Sequence, residues 1–252
     1  MLARTTLITA TLAALLAGCN SDHAPSSSSS GPHASTTPAP VTKPYSPSID
    51  PANFGGPIDN PYLPLRPGTV FRYRGVGDDG KTGELNTVTV THRAKSIMGI
   101  EAVVVLDQVF SAGKPEERTF DWYAQDKNGN VWYLGEDSRN YERGHWVRDD
   151  GSWTAGVGNG KPGIIMLAHP HRGDAYRQEY SPGHAVDQAK VLGMGGPVDT
   201  PFRSFSQTLF TREYSAIDKQ YEKKWYAHGV GVVQEHALTK SKEHSELVGV
   251  KR

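Results

Sequence analysis

From residue 54 onward, the chain is a succession of short runs in which apolar and polar residues alternate, separated by turns rich in glycine, asparagine and aspartate. Alternation with a period of two is typical of a strand that buries one face. Runs of this kind, or short apolar runs suited to a buried strand, occupy residues 70–74, 85–92, 100–110, 119–125, 131–134, 164–167, 221–226, 230–235 and 247–250. The sequence therefore predicts a mainly β fold, with an antiparallel meander sheet that is half-barrel or barrel-like.

The strongest local turn signal is Asn128-Gly129, which stands between the runs at 119–125 and 131–134. An Asn-Gly pair between two strand-like runs indicates a β-hairpin, because both residues tolerate the positive φ of a type I′ turn. We predict a hairpin with such a turn at this position.

Helical signals are few. The best covers residues 184–192, where three apolar residues would share one face and a glycine stands on either side. Because glycine and proline commonly flank helices, we predict one short helix there and at most one more elsewhere.

The N-terminus has the pattern of an export signal. Arg4 is the only charged side chain before an apolar run of about a dozen residues that ends at Leu16. That run is too short to cross a bilayer as a helix, which needs about 20 residues, but it fits the apolar region of a secretory signal.

The signal ends in Leu16-Ala17-Gly18-Cys19, and this tetrapeptide resembles the lipobox of bacterial lipoproteins. The resemblance implies that a lipoprotein signal peptide, residues 1–18, is removed, and that lipidation occurs on Cys19, the single cysteine. Acyl chains such as palmitate would then hold the protein on a membrane of the cell envelope, outside the cytoplasm. In such proteins an aspartate after the cysteine tends to mark inner-membrane retention, so Asn20 favours the outer membrane if the host has two. The alternative is an ordinary secretory signal with an unmodified cysteine.

A tether is predicted to join the anchor to the folded part. It covers residues 19–53, where serine, threonine and proline dominate and large apolar residues are almost absent. Ordering such a segment could not be offset by burial of apolar surface. The remaining residues, 54–252, are enough for a single β-rich domain with a sizeable core.

Charge and cysteine content exclude several classes of protein. Lysine plus arginine and aspartate plus glutamate each total 27, so the formal net charge is zero and the basic excess of a nucleic-acid binder is lacking. A single cysteine also excludes an internal disulfide and a zinc site built from several cysteines.

Several short motifs of the domain resemble a group of uncharacterised bacterial exported β-rich proteins. These motifs are Asn60-Pro61-Tyr62, Leu65-Arg66-Pro67-Gly68, Asp121-Trp122-Tyr123-Ala124-Gln125-Asp126, Gly129-Asn130-Val131-Trp132-Tyr133, and Tyr226 with Gly229-Val230-Gly231. The last motif also resembles the closing segments of periplasmic lipoprotein-carrier half-barrels. The resemblance implies export and a β-rich fold, and it carries no activity with it.

The densest polar stretch, residues 168–187, holds five candidate ligand-binding residues: His169, His171, Asp174, Glu179 and His184. In an extended segment the first two histidines would point the same way, and two imidazoles with a carboxylate are donors that zinc or copper accepts. The alternative is a loop at the sheet edge, with its histidines exposed or hydrogen-bonded. The spacing matches no helical metal motif, so we predict neither a metal nor another cofactor.

A second group of candidates lies around the predicted hairpin. Trp122 and Trp132 would face the same layer, with an apolar or sugar-stacking groove whose rim holds Glu136, Asp137 and Arg139. The alternative is that these rings fill the core of the sheet, which needs large side chains.

A hydrolase is the main alternative to a binding protein. Glu136 and Asp137, with Glu179 or Asp121, could supply the two carboxyl groups of a glycosidase, provided that their separation suits a sugar. The polar segment at 169–187 could serve an envelope or extracellular hydrolase, with or without a metal.

The sequence favours a membrane-anchored extracytoplasmic lipoprotein whose β-domain is not an enzyme. The domain would bind a small molecule, a glycan or an envelope protein, and no nucleic acid. A purely structural envelope protein is the third possibility.

Overall fold

The computed structural model describes residues 45–76, 82–217, 219–238 and 244–252. The signal peptide, Cys19 and most of the tether lie outside the described residues, so these assignments stay predictions. Within the described ranges, no helix combines the length and the apolar character needed to cross a membrane.

The described residues form sixteen strands and one short 3-10 helix, Pro51–Asn53. The strands are β1 (Val70–Val76), β2 (Thr82–Ile97), β3 (Ile100–Ser111), β4 (Lys114–Gln125), β5 (Val131–Glu142), β6 (His145–Arg148), β7 (Trp153–Thr154), β8 (Gly163–Met166), β9 (Ala175–Arg177), β10 (Asp187–Gly195), β11 (Val198–Asp199), β12 (Ser204–Phe205), β13 (Thr208–Ser215), β14 (Gln220–Ala227), β15 (Gly231–Ala237) and β16 (His244–Lys251).

Fourteen of these strands make one antiparallel sheet. Its order is β6-β5-β4-β3-β2-β1-β16-β15-β14-β13-β10-β9, with β7 and β8 also paired to β5. The C-terminal strand β16 lies between β1 and β15, so the first and last strands of the domain meet within the sheet. This confirms the prediction of a mainly β, antiparallel meander.

The two end strands, β6 and β9, are not paired with each other in the described part of the chain. An isolated β-bridge nevertheless connects the chain near one end of the sheet to the chain near the other end. In this bridge the N–H of Lys161 donates to the carbonyl of Tyr180 at 2.8 Å. Lys161 precedes β8 and Tyr180 follows β9. The sheet therefore curves around an interior without closing as a continuous ladder.

Two apolar clusters cover the two faces of the sheet. The inner cluster takes buried residues from both halves, such as Phe71, Val105, Leu209 and Leu247, which is possible only because the sheet curves. The outer cluster covers the opposite face of β3–β5 with buried residues such as Trp153. Strands β3–β5 are therefore buried on both faces, and polar groups on their inner face are withdrawn from water.

The prediction of a helix at residues 184–192 is wrong, because most of this segment belongs to β10. In β10, Asp187, Ala189 and Val191 are buried in alternation, which is the burial pattern of a strand. The strand pairs with β13 on one side and with β9 on the other. Pairing with two neighbours outweighed a weak helical spacing, because strand formation depends on cross-strand contacts more than on local propensity.

The hairpin between β4 and β5 is present, but the prediction of a type I′ turn is wrong. Gly129 has a φ of +92°, whereas the φ of Asn128 is not positive. The carboxylate of Asp126 accepts hydrogen bonds from the N–H groups of Asn128 (3.0 Å) and Asn130 (2.9 Å). This side-chain cap supports a wider loop, in which only the glycine needs the left-handed region.

The last residues of the predicted tether, 45–53, contact the domain. The hydroxyl of Tyr45 donates to the carbonyl of Pro162 at 2.7 Å, and its ring lies 5.4 Å from that of Tyr180. Ile49 packs against the outer apolar cluster. These aromatic and apolar side chains offset the cost of ordering, so the structure places this segment with the domain.

Candidate functional site

A cavity of about 70 Å³ lies inside the curved sheet. Its apolar lining consists of Leu63, Leu65, Phe71, Val88, Val105, Ile165, Val230 and Val232. Its polar and aromatic lining consists of Tyr73, Asp107, Asp121, Tyr123, Lys224 and Tyr226. A largely apolar cavity with a few convergent polar groups is the usual form of a small-molecule site.

Strand alternation brings the two aspartates to this cavity. Asp121 pairs with Val105 across β3 and β4, and Asp107 pairs with Thr119, so the two carboxyl groups are diagonal neighbours on the inner face. Diagonal neighbours of this kind lie about 7–8 Å apart. Only 2% of Asp107 and 3% of Asp121 are exposed to solvent.

Asp121 and Glu136 share one tyrosine hydroxyl. The hydroxyl oxygen of Tyr133 lies 2.6 Å from Oδ1 of Asp121 and 2.8 Å from Oε2 of Glu136. A bulge at Gly135, whose φ is +121°, lets Tyr133 and Glu136 meet on one side of β5 although they are three residues apart. A hydroxyl has a single hydrogen, so both contacts are hydrogen bonds only if one carboxyl group is protonated.

The environment of Asp121 favours its protonated form. Burial raises the pKa of Asp121 from 3.8 to about 7, the hydrogen bond from Tyr133 offsets part of that rise, and the charge of Glu117 adds to it. The pKa of Asp107 is also raised well above its ordinary value, first by burial and then by the neighbouring Asp121. The amide of Asn86 donates to Oδ1 of Asp107.

Lys224 also lines the cavity, and its ammonium group is surrounded by three carboxylates other than Asp107 and Asp121. Its Nζ is 3.1 Å from Glu213, 3.4 Å from Glu222 and 3.7 Å from Glu235. Burial by itself lowers the pKa of Lys224, but these carboxylates raise it well above its ordinary value. The ammonium group is therefore charged and already neutralised by its neighbours.

The hydroxyl groups of two cavity tyrosines donate hydrogen bonds to other groups of the protein. Tyr73 donates to the carbonyl of Val232 at 3.1 Å, and Tyr226 donates to Glu213 at 2.9 Å. The rings of Tyr73 and Tyr226 remain part of the lining. The ring of Tyr123 stacks on that of Tyr133, with 4.8 Å between centroids.

The structure separates the five candidates of the polar segment. His169 and Asp174 lie together in an outer concavity of about 450 Å³, and the exposed His171 has its Nδ1 3.7 Å from Oδ2 of Asp174. Nδ1 of His184 lies elsewhere, 2.7 Å from the carbonyl of Asp150. In the part of the chain that the structure describes, no group of three or more potential ligands is arranged to hold a metal ion.

Glu179, the fifth candidate, lies inside the protein rather than beside the histidines. It has no exposed surface, and neither of its carboxyl oxygens has a hydrogen-bond partner among the described residues. Burial raises its pKa well above the ordinary value, and the charges of Asp187, Glu136 and Asp121 raise it further. It therefore belongs to the same buried group of carboxyls as Asp121.

The predicted groove around the tryptophans is not formed. Trp122 is buried in the outer apolar cluster, and Trp132 packs against that cluster while its Nε1 donates to Asp126 at 2.9 Å. Both rings thus lie in one layer and fill it. Glu136 is fully buried on the inner face, whereas the partly exposed Arg139 pairs with Asp137 at 3.0 Å, so Glu136 and Arg139 do not share a rim.

The carboxyl pair of Asp121 and Glu136 does not have the form of a glycosidase site. A glycosidase needs a sugar, or a sugar and a water, between its two carboxyl groups. Here the hydroxyl of Tyr133 occupies the space between them, and both are buried.

Sequence reasoning missed Asp107 and Lys224 as lining residues. Both carried a usable signal, because each has a buried apolar residue two positions away in its strand. Val105 and Val109, two positions before and after Asp107, are buried, and so is Tyr226, two positions after Lys224. A charged residue in the buried register of a strand is a candidate for an interior site.

The fold and the cavity define a mainly β, antiparallel domain with a small, partly polar interior. No family model matches the chain, and no curated protein matches it. It is similar to two crystal structures. One is a protein from Bacteroides fragilis NCTC 9343 assigned as exported, with a YmcC-like fold (18% identity, TM-score 0.46, covering 77% of this chain and 100% of that chain). The other is a protein from Parabacteroides distasonis ATCC 8503 assigned as a lipoprotein (13% identity, TM-score 0.41, covering 76% and 99%).

Proposed function

We propose that this protein is an extracytoplasmic lipoprotein, anchored through Cys19, whose β-domain binds a small molecule in its interior cavity and does not catalyse a reaction. The observation that carries the proposal is the cavity itself, where apolar walls and three tyrosine rings surround two buried carboxyl groups. Binding sites commonly combine an apolar lining with a few polar groups that fix the orientation of the ligand.

The anchor and the location rest on the N-terminal sequence. The lipobox-like tetrapeptide at residues 16–19 and the Ser/Pro-rich tether support attachment to a membrane of the cell envelope, with the folded domain outside the cytoplasm. In a host with two membranes, Asn20 favours the outer membrane.

A cover segment, residues 58–67, borders the cavity. Leu63 and Leu65 of this segment line the cavity. One backbone hydrogen bond lies within the segment, from Leu65 to the carbonyl of Ile58 (3.0 Å), and another joins the segment to the sheet, from Gly229 to the carbonyl of Pro61 (2.7 Å). A ligand larger than the cavity would enter only if this cover segment moved. Such a movement would break the hydrogen bonds from the backbone N–H groups of Asp59 and Asn60 to Oε1 of Gln125, and those from the Asn60 amide to the carbonyls of Gly129 and Leu167.

The polar groups of the cavity support binding rather than catalysis. Lys224 is paired with three carboxylates, and the hydroxyls of Tyr73 and Tyr226 are bonded to other protein groups. A nucleophile needs a neighbouring base and an orienting group. The groups that line this cavity do not make that arrangement.

A thermal-shift experiment tests the proposal. Short linear alcohols and amines should raise the melting temperature of the wild-type chain. Val88→Phe should abolish that rise, because Val88 lines the cavity and a phenyl ring would fill it. The control Leu85→Phe, on the same strand but 54% exposed, should respond like wild type. The proposal is refuted if no compound stabilises wild type, or if Val88→Phe is stabilised to the same extent.

A further inference from the structure

The interior of the domain has an excess of acidic groups. Among the described residues, seven carboxyl side chains are buried and a single basic side chain, Lys224, is buried with them. The carboxyl side chains are Asp107, Asp121, Glu136, Glu179, Asp187, Glu213 and Glu235. Buried charge is costly unless it is paired or neutralised by a proton.

Lys224 does not neutralise the two aspartates of the cavity. It forms ion pairs with Glu213, Glu222 and Glu235, at 3.1 to 3.7 Å. Within the described ranges, Asp107 and Asp121 have only neutral hydrogen-bond donors, the Asn86 amide and the Tyr133 hydroxyl.

Each aspartate also has an oxygen left over. The donors reach Oδ1 of Asp107 and Oδ1 of Asp121, and no described residue donates a hydrogen bond to either Oδ2. Both residues are at least nine-tenths buried, and both line the cavity. Two acceptor oxygens are thus held at the wall of a cavity without a protein partner.

The rest of the lining suits the body of an organic cation. The rings of Tyr73, Tyr123 and Tyr226 border the same cavity and offer apolar surface for the carbon chain of a ligand. The remaining wall is aliphatic, which matches methylene groups. A bare metal ion would need six or more oxygen ligands if it were calcium or magnesium, and the apolar walls do not supply them.

From this arrangement we infer that the ligand of the cavity is a small alkylammonium ion, with its charged group held between Asp107 and Asp121 and its carbon chain against the tyrosine rings and the aliphatic wall. This inference rests on the proposed function and names the chemical class of the ligand. The volume of about 70 Å³ limits the ligand to an ammonium group on a few carbon atoms unless the cover segment moves.

Binding of such a cation is coupled to loss of a proton. The titratable and charged groups around the two aspartates are Tyr73, Glu84, Glu117, Tyr123, Tyr133, Glu136, Glu179, Lys224 and Tyr226. Without a ligand, burial favours the protonated aspartates, whereas an ammonium ion binds the ionised form. Affinity should therefore rise with pH until Asp121 is ionised, while an alkylammonium itself keeps its proton to about pH 9 or above, as lysine does.

Isothermal titration calorimetry on the full chain in a non-ionic detergent tests the inference with propylamine and 1-propanol, which match in size and differ in charge. At pH 8, propylamine should bind at least tenfold more tightly than the alcohol. Below pH 7 its affinity should fall by about tenfold per pH unit, since one proton must be displaced. Asp121→Asn should weaken propylamine by at least tenfold and leave 1-propanol unchanged, and Asp107→Asn should do the same. The exposed control Asp199→Asn should bind like wild type.

The outcomes separate this inference from the proposed function. Equal affinity for propylamine and 1-propanol, or a propylamine affinity that does not change with pH in wild type, refutes the cation and leaves a binding cavity in place. Absence of binding by both compounds also refutes the cation, and the thermal shifts of wild type and Val88→Phe with other short linear alcohols then decide the proposed function independently. The pH series uses wild-type protein, so the test does not depend on folding of the variants.

Discussion

Replacing Asp121 with asparagine should remove the contribution of this one carboxyl group to the pH dependence of the stability of the domain. The carboxyl group is 3% exposed, and burial raises its pKa from 3.8 to about 7. Asparagine has nearly the same shape, keeps an oxygen that can accept the Tyr133 hydroxyl, and cannot ionise. The variant therefore tests the charge of this group with little change in packing.

The direction of the effect follows from where the proton binds more tightly. Because the pKa of Asp121 is higher in the folded state, the folded protein holds this proton between about pH 4 and pH 7 while the unfolded chain has lost it. The free energy of unfolding must fall as pH rises through this window. A shift of about three pH units corresponds to roughly 4 kcal/mol, at about 1.4 kcal/mol per unit.

Guanidinium denaturation at a series of pH values measures the free energy of unfolding, with the fluorescence of the five tryptophans as the signal. We expect the free energy of unfolding of Asp121→Asn, minus that of wild type, to increase by roughly 4 kcal/mol from pH 4 to pH 8. Asp199→Asn, at an exposed position, controls for removal of one negative charge and should stay parallel to wild type. If the difference between Asp121→Asn and wild type changes by less than about 1 kcal/mol over this range, the carboxyl group is not protonated by burial and the reasoning fails.

Three further predictions concern the anchor, the bulge and the buried ion pairs. Cys19→Ala should prevent labelling by radioactive palmitate, and absence of label in wild type would contradict the lipid anchor. Gly135→Ala should lower stability by several kcal/mol in denaturation, on the order of the large values seen for strained and overpacked sites, because φ is +121° and the added Cβ would overlap the Trp153 carbonyl. Gly144→Ala, also at positive φ but in open space, should cost only about 1–2 kcal/mol, and an equal loss in both would refute the overlap. Lys224→Met should cost roughly 3–5 kcal/mol at pH 7 because it leaves buried carboxylates unpaired, and a stable variant would show that they take up protons readily.

The strands could be predicted from the sequence because alternation is a local property. Residues 70–74 and 85–92 fall within β1 and β2, and the chain around Gly129 turns between β4 and β5. Burial on one face imposes a period of two wherever the strand lies in the sheet. The fold class therefore follows from the order of residues along the chain.

The conformation of β10 and the start of the domain depended on distant partners. Residues 187–195 are a strand because β9 and β13 offer hydrogen bonds on both sides. Tyr45 is held by Pro162 and Tyr180, more than a hundred positions away. Neither partner can be recognised from the local sequence, where the same residues have the pattern of a helix or a linker.

The candidate site, too, could be predicted from the sequence only in part. Asp121, Glu136 and Glu179 were recognisable as a possible set of carboxyl groups, but their composition alone allowed an open pair across a sugar as well as a buried group. Only the bulge at Gly135 and the hydroxyl of Tyr133 decide that two of them share one hydrogen bond inside the sheet. The sequence by itself determined which residues alternate and which can ionise. The curvature of the sheet decided which of them face one cavity and lose contact with water, because pKa and pairing depend on distances between strands that are far apart along the chain.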